Sequence, residues 1–187
     1  MREIALLWDK DTLFERYLTD SGFDCEVVTP VVLAAPFFSF RGYKFVIVPA
    51  GFGNEIYSGI LKELRASGEY LKEFVNAGAT LLVSGAFSNK DAYNWLPIKL
   101  TYVMQQWRVS VEIVKEHKAT AILEKEECLC DGYFAEIDAG SEIILRDRAK
   151  NGKAILVVSE YGAGRIIATT IHEYPSPAFI AYCVCSD

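Results

Sequence analysis

The residues of this sequence best suited to metal or nucleophilic chemistry are its five cysteines and two histidines. Four cysteines form two Cys-x-Cys pairs: Cys128 with Cys130, and Cys183 with Cys185. Common zinc sites separate paired cysteines by two residues or more, so this spacing does not predict a metal site. An odd cysteine count is instead typical of free thiols in a reducing compartment. We therefore expect neither a bound metal nor a cofactor.

His172 and Ser84 are the candidates for acid–base and nucleophilic chemistry. Imidazole titrates near neutral pH, so His172 could act as a general base. Ser84 could be a nucleophile activated by His172, as in a hydrolase or an acyl-transfer enzyme. Each residue also has a simpler interpretation, His172 as a hydrogen-bonding residue at a strand end and Ser84 as a packing residue of a turn. Both interpretations are open at this point.

The glycine-containing turn at residues 49–54 is the best candidate for ligand contact. Its backbone amides could bind a carboxylate, a phosphate or a sugar oxygen, although its glycines could also serve a turn that needs a positive φ. The residues that we predict to contact a ligand, here and in neighbouring loops, are Gly51, Phe52, Gly53, Asn54, Asp9 and Gly85. Asp9 and Asp11 could equally belong to a solvated turn that caps a helix.

Apolar runs that must position these residues alternate with helical repeats in the first half of the chain. Residues 4–8 are a short continuous apolar run, as in a strand buried on both faces, and residues 25–28, 45–48 and 80–83 predict three further strands. Strands alternating with helices predict right-handed crossovers and a mainly parallel central sheet with helices on both faces. Ligands bind beyond the carboxyl ends of such strands, where loops 8–12, 49–54 and 84–89 would meet His172.

Strand periodicity dominates the second half of the chain. Val109, Val111 and Ile113 alternate with polar residues, as in a half-exposed strand. The β-rich runs at 142–145, 154–159 and 165–171 predict an antiparallel C-terminal meander added to the parallel sheet. With no internal repeat and no Pro/Gly-rich linker, residues 1–187 are expected to form a single domain.

Three motifs, in chain order, resemble those of the class I glutamine amidotransferase-like superfamily. Residues 49–53 resemble the family's Pro-Gly-Gly turn, whose amides form an oxyanion hole. Residues 77–85 resemble the helix end and strand that carry its nucleophile elbow, and residues 161–172 resemble its Gly-x-Gly-Arg hairpin and the strand ending at the catalytic histidine. The resemblance implies a three-layer, flavodoxin-like α/β sandwich. The chain looks closest to trehalose-utilisation-like proteins and the middle domain of some β-galactosidases.

The reactive groups of that family are altered in this sequence. The family elbow reads Gly-x-Cys-x-Gly, with a thiolate that attacks glutamine, but no cysteine lies between Cys25 and Cys128. Different alignments place one of three residues at the nucleophile position: Gly85, Ala86 or Ser84. The family's His-x-Glu becomes His172-Glu173, and this one-residue shift predicts that the Glu173 carboxylate points away from the imidazole. Glutaminase activity is therefore not expected.

Charge and hydropathy limit the classes of partner. The net charge of −6, with no cluster of Lys or Arg, argues against nucleic acid and anionic membranes. The longest apolar stretch, residues 27–40, contains two prolines and is shorter than the ~20 residues of a spanning helix. The N-terminus is interrupted by acid too soon for a signal peptide, so we expect a cytoplasmic protein. The aromatic region Phe37–Phe40 either covers the sheet or mediates homo-oligomerisation.

The predicted function follows from two features: the chain resembles the family's scaffold, and it lacks the family's reactive cysteine. We expect an amidotransferase-like domain that is non-catalytic, or that does not perform the family's glutaminase reaction. It would bind a small polar metabolite at the strand ends or serve as a subunit of an assembly. The alternative is a hydrolase or carbohydrate-related enzyme that uses His172 and Ser84.

Overall fold

Short, buried strands form the first part of the sheet. The computed structural model describes residues 2–10, 12–88, 91–149 and 152–185. Strands β1 (Ile4–Leu7), β3 (Phe45–Val48) and β4 (Thr80–Val83) are buried along their whole length, because nearly all their side chains are apolar. They pair in parallel with β2 (Cys25–Val28) and β9 (Gly164–Thr169), in the order β2-β1-β3-β4-β9.

Four antiparallel strands form the second part of the sheet. β5 (Leu100–Ile113) pairs with β6 (Glu127–Ile137) and with β7 (Ser141–Asp147). β8 (Ala154–Tyr161) pairs with β6, β7 and β9. Since β5, β6, β7 and β8 each pair with two of the others, they close into a four-stranded barrel. The pairing of β8 with β9 joins this barrel to the parallel strands.

The prediction of a mainly parallel, flavodoxin-like α/β sandwich is wrong. The barrel strands are 14, 11, 7 and 8 residues long, whereas β1 to β4 have 4 residues each, so most strand residues are antiparallel. The sequence does not reveal the barrel, because register shifts in β5 interrupt its alternation between Thr101 and Tyr102 and between Met104 and Trp107. Only residues 109–113 of that strand alternate visibly in the sequence.

Short helices cover the sheet on both sides. α1 (Leu13–Asp20) and α5 (Pro177–Val184) contribute to one apolar cluster, and α2 (Pro30–Leu33), α3 (Ile60–Ala66) and α4 (Gly68–Asn76) contribute to another. Hydroxyl oxygens of Thr12, Thr29 and Ser176 accept amide hydrogen bonds in the first turns of α1, α2 and α5. Across the described ranges, every helix is too short or too polar to cross a bilayer. A cytoplasmic location stays a prediction.

The apolar core lies on both faces of the parallel strands. Ile4 and Leu6 of β1 face the cluster that includes α1 and α5, whereas Ala5 and Leu7 face the cluster that includes α2, α3 and α4. The two-residue period of a strand produces this division. Both clusters continue into the barrel strands, so the parallel and antiparallel parts of the sheet share their core.

The cysteines are unpaired thiols in this structure. Cys25, Cys128, Cys130 and Cys183 are buried, and Cys185 is exposed. The sulfur atoms of Cys128 and Cys130 lie 3.7 Å apart, well beyond a disulfide bond length. In the described residues, no three or more His, Cys, Asp or Glu side chains are grouped as metal ligands would be.

The three phenylalanines of the region predicted for self-association differ in exposure, and Phe38 is half-buried. Phe37 is 87% exposed, whereas Phe40 is buried and contacts Phe38 and Phe74 edge-on or at an angle. This region also borders a groove of about 710 Å³ near the start of β3 and the end of α4. Homo-oligomerisation through this region stays a prediction.

Close packing at the start of β9 makes a testable prediction about the fold. A Cβ atom on Gly164 would lie 2.2 Å from the carbonyl oxygen of Val75 and 2.3 Å from that of Ala79. Because both neighbours are backbone atoms, Gly164→Ala should lower the free energy of unfolding by about 1–3 kcal/mol, measured by urea denaturation. Gly140→Ala is the matched control, since its nearest neighbour lies at 3.7 Å. Equal effects of the two substitutions would contradict the packing.

Candidate functional site

A cleft of about 410 Å³ opens where β1, β3, β4 and β9 end. Its walls are mainly apolar, and include Trp8, Phe14, Leu82, Ile122, Ile171 and Tyr174. Apart from the aromatic side chains of Trp8 and Tyr174, which each carry one polar atom, the polar side chains of its lining are Thr12, Ser84, Thr169, His172 and Glu173. The structure therefore brings the three predicted catalytic residues, Ser84, His172 and Glu173, into one cleft.

Two of the polar side chains in the cleft already form hydrogen bonds with backbone groups of the protein. The Thr12 hydroxyl oxygen accepts the Glu15 amide at the start of α1. The Thr169 hydroxyl donates to the Ile155 carbonyl oxygen and accepts the Ile171 amide. Besides Trp8 and Tyr174, the side chains of Ser84, His172 and Glu173 remain as the groups that a ligand could reach.

The three remaining groups do not form a hydrogen-bonded triad. Within the described residues, no hydrogen bond joins the Ser84 hydroxyl to His172. One carboxylate oxygen of Glu173 accepts the Leu129 amide at 3.3 Å rather than contacting the imidazole. The His172 backbone amide donates to the Leu129 carbonyl oxygen at 2.9 Å, and the His172 side chain is 41% exposed. Ser84 and His172 therefore share a cleft without the geometry of an activated serine.

Phe87 has the backbone conformation expected of an elbow residue. Among the described non-glycine residues, it is the one in the left-handed region, with a φ of 52°. A nucleophile elbow holds its reactive residue on such a strained strand-to-loop turn. With Phe87 at this position, Gly85 takes the place of the first glycine in the elbow pattern. None of the three alignments in the sequence analysis placed Phe87 there.

The Phe87 ring packs against the predicted base. Its centroid lies 5.3 Å from that of the His172 imidazole and 5.8 Å from that of Tyr57. In this position the side chain adds an apolar surface to His172. A phenyl ring has no nucleophilic or acidic group, so Phe87 supplies no reactive atom.

The amides of the predicted oxyanion turn are already hydrogen-bonded. The Gly51 amide donates to the Gly85 carbonyl oxygen at 2.8 Å, and the Gly53 amide donates to that of Ala86 at 3.0 Å. Gly51 has a φ of 93°, and a Cβ atom on Gly53 would lie 2.8 Å from that of Ala86. Both glycines thus let the two loops pack closely, and a ligand would have to compete for their amides.

Three other residues predicted to bind a ligand contact the protein itself. Phe52 is fully buried between Tyr93 and Trp95. The Asn54 side-chain amide donates to the Phe87 carbonyl oxygen, and the Asp9 carboxylate accepts the Ser58 hydroxyl and the Gly59 amide just before α3. Asp11 and Asn89, at the ends of the neighbouring loops, lie outside the described residues.

Asp131 is a buried acid behind the cleft. It lies on β6 and is only 1% exposed. The Tyr102 hydroxyl lies 2.8 Å from the Asp131 carbonyl oxygen and 3.2 Å from Oδ1, so these two oxygens share its one proton. The Oδ2 atom has no hydrogen-bond partner among the described residues. Nδ1 of the His172 imidazole lies 3.9 Å from Oδ2. A Cβ atom on Gly85 would lie 1.9 Å from Oδ1, so the carboxylate occupies the space beside this glycine.

Burial changes the pKa values of Asp131 and of two neighbouring tyrosines. Desolvation raises the pKa of Asp131 to about 7, although the Tyr102 hydroxyl, which donates to its carboxylate, partly opposes the shift. Desolvation also raises the pKa of Tyr93 and Tyr102 well above their ordinary values, so both phenols stay protonated and act as donors. Asp131 is therefore the carboxyl group of this site whose charge changes near neutral pH.

Sequence reasoning missed both Asp131 and Phe87. Asp131 lies in β6, a strand that the sequence analysis did not predict, so its burial had no local signal. The residue type of Phe87 does not predict its backbone conformation, because a left-handed φ is uncommon for an aromatic residue. The pattern Gly85-x-Phe87 would have identified it only if the cysteine position had been allowed to be aromatic.

The comparisons with known proteins identify a shared fold. No family model and no curated protein matches this sequence. A cytoplasmic protein from Salmonella typhimurium is 14% identical, with a TM-score of 0.65 over 98% of both chains. A β-galactosidase from Bacillus circulans sp. alkalophilus is 11% identical, with a TM-score of 0.62, and the match covers 98% of this chain but 30% of the enzyme. PurLQS from Thermotoga maritima is 14% identical with a TM-score of 0.62, over 95% and 89% of the two chains.

The raised pKa of Asp131 predicts a specific effect of pH on stability. Because the folded pKa lies above the unfolded value, Asp131 stabilises the fold when protonated, and this contribution is lost as pH rises from about 4 to about 7. Relative to wild type, Asp131→Asn should gain on the order of 3 kcal/mol in free energy of unfolding between about pH 4 and about pH 8. Urea denaturation at several pH values measures this difference.

Asp138→Asn is the control for this measurement. Hydrogen bonds from the Gly140 and Lys99 amides lower the pKa of Asp138, so its titration falls below the tested range. The difference between wild type and this variant should stay nearly constant with pH. The interpretation fails if both variants show the same dependence on pH.

Proposed function

We propose that this chain is a glutamine amidotransferase-like domain without thiol chemistry, and that it binds a small, uncharged, hydroxyl-bearing ligand in the cleft. The observation that carries the proposal is Phe87 at the strained elbow position, with its ring against His172. A residue without a reactive atom stands where the family attacks glutamine. The similarity to known structures supports the fold only, at 11–15% identity for the first three.

The loop amides favour binding over acyl transfer. An oxyanion hole requires free backbone donors that point at the developing charge. In this protein the Gly51 and Gly53 amides donate to carbonyl oxygens of the elbow loop. The proposed ligand therefore meets side chains of the cleft rather than these amides.

The chemistry of the cleft favours an uncharged ligand. The polar groups on its lining include the Ser84 and Tyr174 hydroxyls, the Trp8 indole N–H, the His172 imidazole and the Glu173 carboxylate. In the described residues, neither lysine nor arginine lines the cleft, so an anionic ligand would meet Glu173 without a compensating lysine or arginine. Apolar walls such as Trp8 and Phe14 suit the carbon skeleton of a ring or a polyol.

The size of the cleft agrees with such a ligand. A volume of about 410 Å³ lies within the range of small-molecule sites. A comparable fold occurs in part of a β-galactosidase, which is compatible with a sugar-like ligand for this chain. A neutral monosaccharide or polyol is therefore the ligand class to test first.

A hydrolase that uses Ser84 and His172 is the second candidate. The specific observation in its favour is that both side chains line the same cleft. Against it, the elbow residue is Phe87 and no hydrogen bond between Ser84 and His172 is found in the described chain. The two candidates differ in whether bound ligand is turned over.

Ligand binding can be tested with a panel of neutral monosaccharides, polyols and nucleosides, compared with carboxylates and phosphates. We expect at least one neutral compound to raise the melting temperature and to bind in calorimetry. His172→Ala and Ser84→Ala should each weaken that binding by about 3- to 10-fold, the value of one hydrogen bond. Ser39→Ala, an exposed serine outside the cleft, is the matched control and should bind normally.

Several outcomes would reject the proposal. Binding of anions alone would contradict the ligand class, and no stabilisation by any compound would contradict binding. Release of ammonia from glutamine would contradict the loss of the family's chemistry. Hydrolysis of p-nitrophenyl acetate that Ser84→Ala abolishes and Ser39→Ala preserves would establish the hydrolase instead.

A further inference from the structure

The buried carboxylate of Asp131 has one oxygen, Oδ2, without a hydrogen bond among the described residues. Tyr102 from β5 donates to Oδ1, and the Asp131 backbone amide donates to the Thr170 carbonyl oxygen at the end of β9. Oδ2 has no partner in the described chain, although buried polar atoms are rarely left unpaired. A hydrogen-bond donor is therefore expected to reach Oδ2 in solution.

His172 is the donor that the backbone places nearest to this oxygen. The Cys130–Ile171 bridge and the hydrogen bond from the His172 amide to the Leu129 carbonyl oxygen fix the two chain segments side by side. Nδ1 of His172 then lies 3.9 Å from Oδ2, about 1 Å beyond a normal hydrogen bond. Because the imidazole is 41% exposed, a small rotation of its side chain can close this gap.

Glu173, the acid next in sequence, already has another role. One of its carboxylate oxygens accepts the Leu129 amide, and its side chain lines the cleft. Asp131 instead approaches the imidazole from the barrel, through the space left by Gly85. The Glu173 carboxylate is thus hydrogen-bonded to the backbone of β6, whereas Asp131 Oδ2 has no partner in the described residues.

We propose that Asp131, rather than Glu173, is the acid partner that positions His172. The Nδ1–H group of the imidazole donates to Asp131 Oδ2, and Nε2 faces the cleft as a hydrogen-bond acceptor for a ligand hydroxyl. Asp131 does not touch the ligand and is a positioning residue. This inference deepens the proposed function, since it defines the form of His172 that binds the uncharged ligand.

The groups around Asp131 determine the pH at which its carboxylate can accept a hydrogen bond from His172. The titratable groups that face it are Tyr102 from β5, Tyr93 from the loop before β5, Cys130 from its own strand and His172. A hydrogen bond with Cys128, together with burial, raises the pKa of Cys130, and burial raises the pKa values of the two tyrosines, so these three groups are neutral at physiological pH. The Asp131 carboxyl group is ionised above about pH 7 and can then accept a hydrogen bond from the imidazole.

The tautomers of the two histidines test the inference without any ligand. Nitrogen-15 NMR of the imidazoles at about pH 8 distinguishes a proton on Nδ1 from one on Nε2. We expect His172 to carry its proton on Nδ1 by about tenfold or more over Nε2. His117 is an internal reference with the opposite tautomer, because its Nδ1 accepts the Ala119 amide at 3.0 Å.

Two variants identify the acid that is responsible. Asp131→Asn can donate its amide to Nδ1, so the His172 proton should move mainly to Nε2, while Glu173→Gln should leave the tautomer unchanged. Retention of the His117 signal shows that each variant is folded. A proton on Nε2 of His172 in the wild type, or a tautomer that responds to Glu173→Gln and not to Asp131→Asn, would overturn the inference. Since no ligand is needed, this result is separate from success or failure of the binding screen.

Discussion

The site depends on the pairing of β6 with the chain that leaves β9. Hydrogen bonds from Asp131 to the Thr170 carbonyl oxygen and from His172 to that of Leu129 flank the Cys130–Ile171 bridge. This short antiparallel contact attaches the barrel to the ends of the parallel strands. It also determines which barrel side chain lies behind the cleft. A shift of one residue in this register would turn the Asp131 side chain to the other face of β6.

Small residues make room for the buried acid. Gly85 has no side chain where the Asp131 carboxylate lies, and a Cβ atom on Gly132 would lie 2.2 Å from the Tyr102 ring. The hydroxyl of Tyr102 can then donate to Asp131 from β5. A buried acid is costly unless hydrogen bonds satisfy it, so such an arrangement contributes to specificity of structure more than to stability.

The sequence predicted local elements better than the arrangement that contains them. The first four strands are short and mostly apolar, and this local pattern predicted them. Pairing of β5 with β6 spans more than 30 residues between some partners and is interrupted by register shifts, so local periodicity does not report it. The wrong fold class followed from giving the parallel half more weight than the longer antiparallel strands.

In the candidate site, too, the sequence predicted the residues that local patterns identify and missed those that depend on strand pairing. Ser84, His172 and Glu173 were found because each follows a strand that ends at the cleft, a property of the local sequence. Asp131 comes from a strand that pairs with β5, β8 and residue Ile171, so only the three-dimensional pairing reveals it. An acid next to a histidine in sequence and an acid next to it in space are different residues here. A motif that pairs residues by their order in the chain would therefore assign the partner of His172 to Glu173, where the structure favours Asp131.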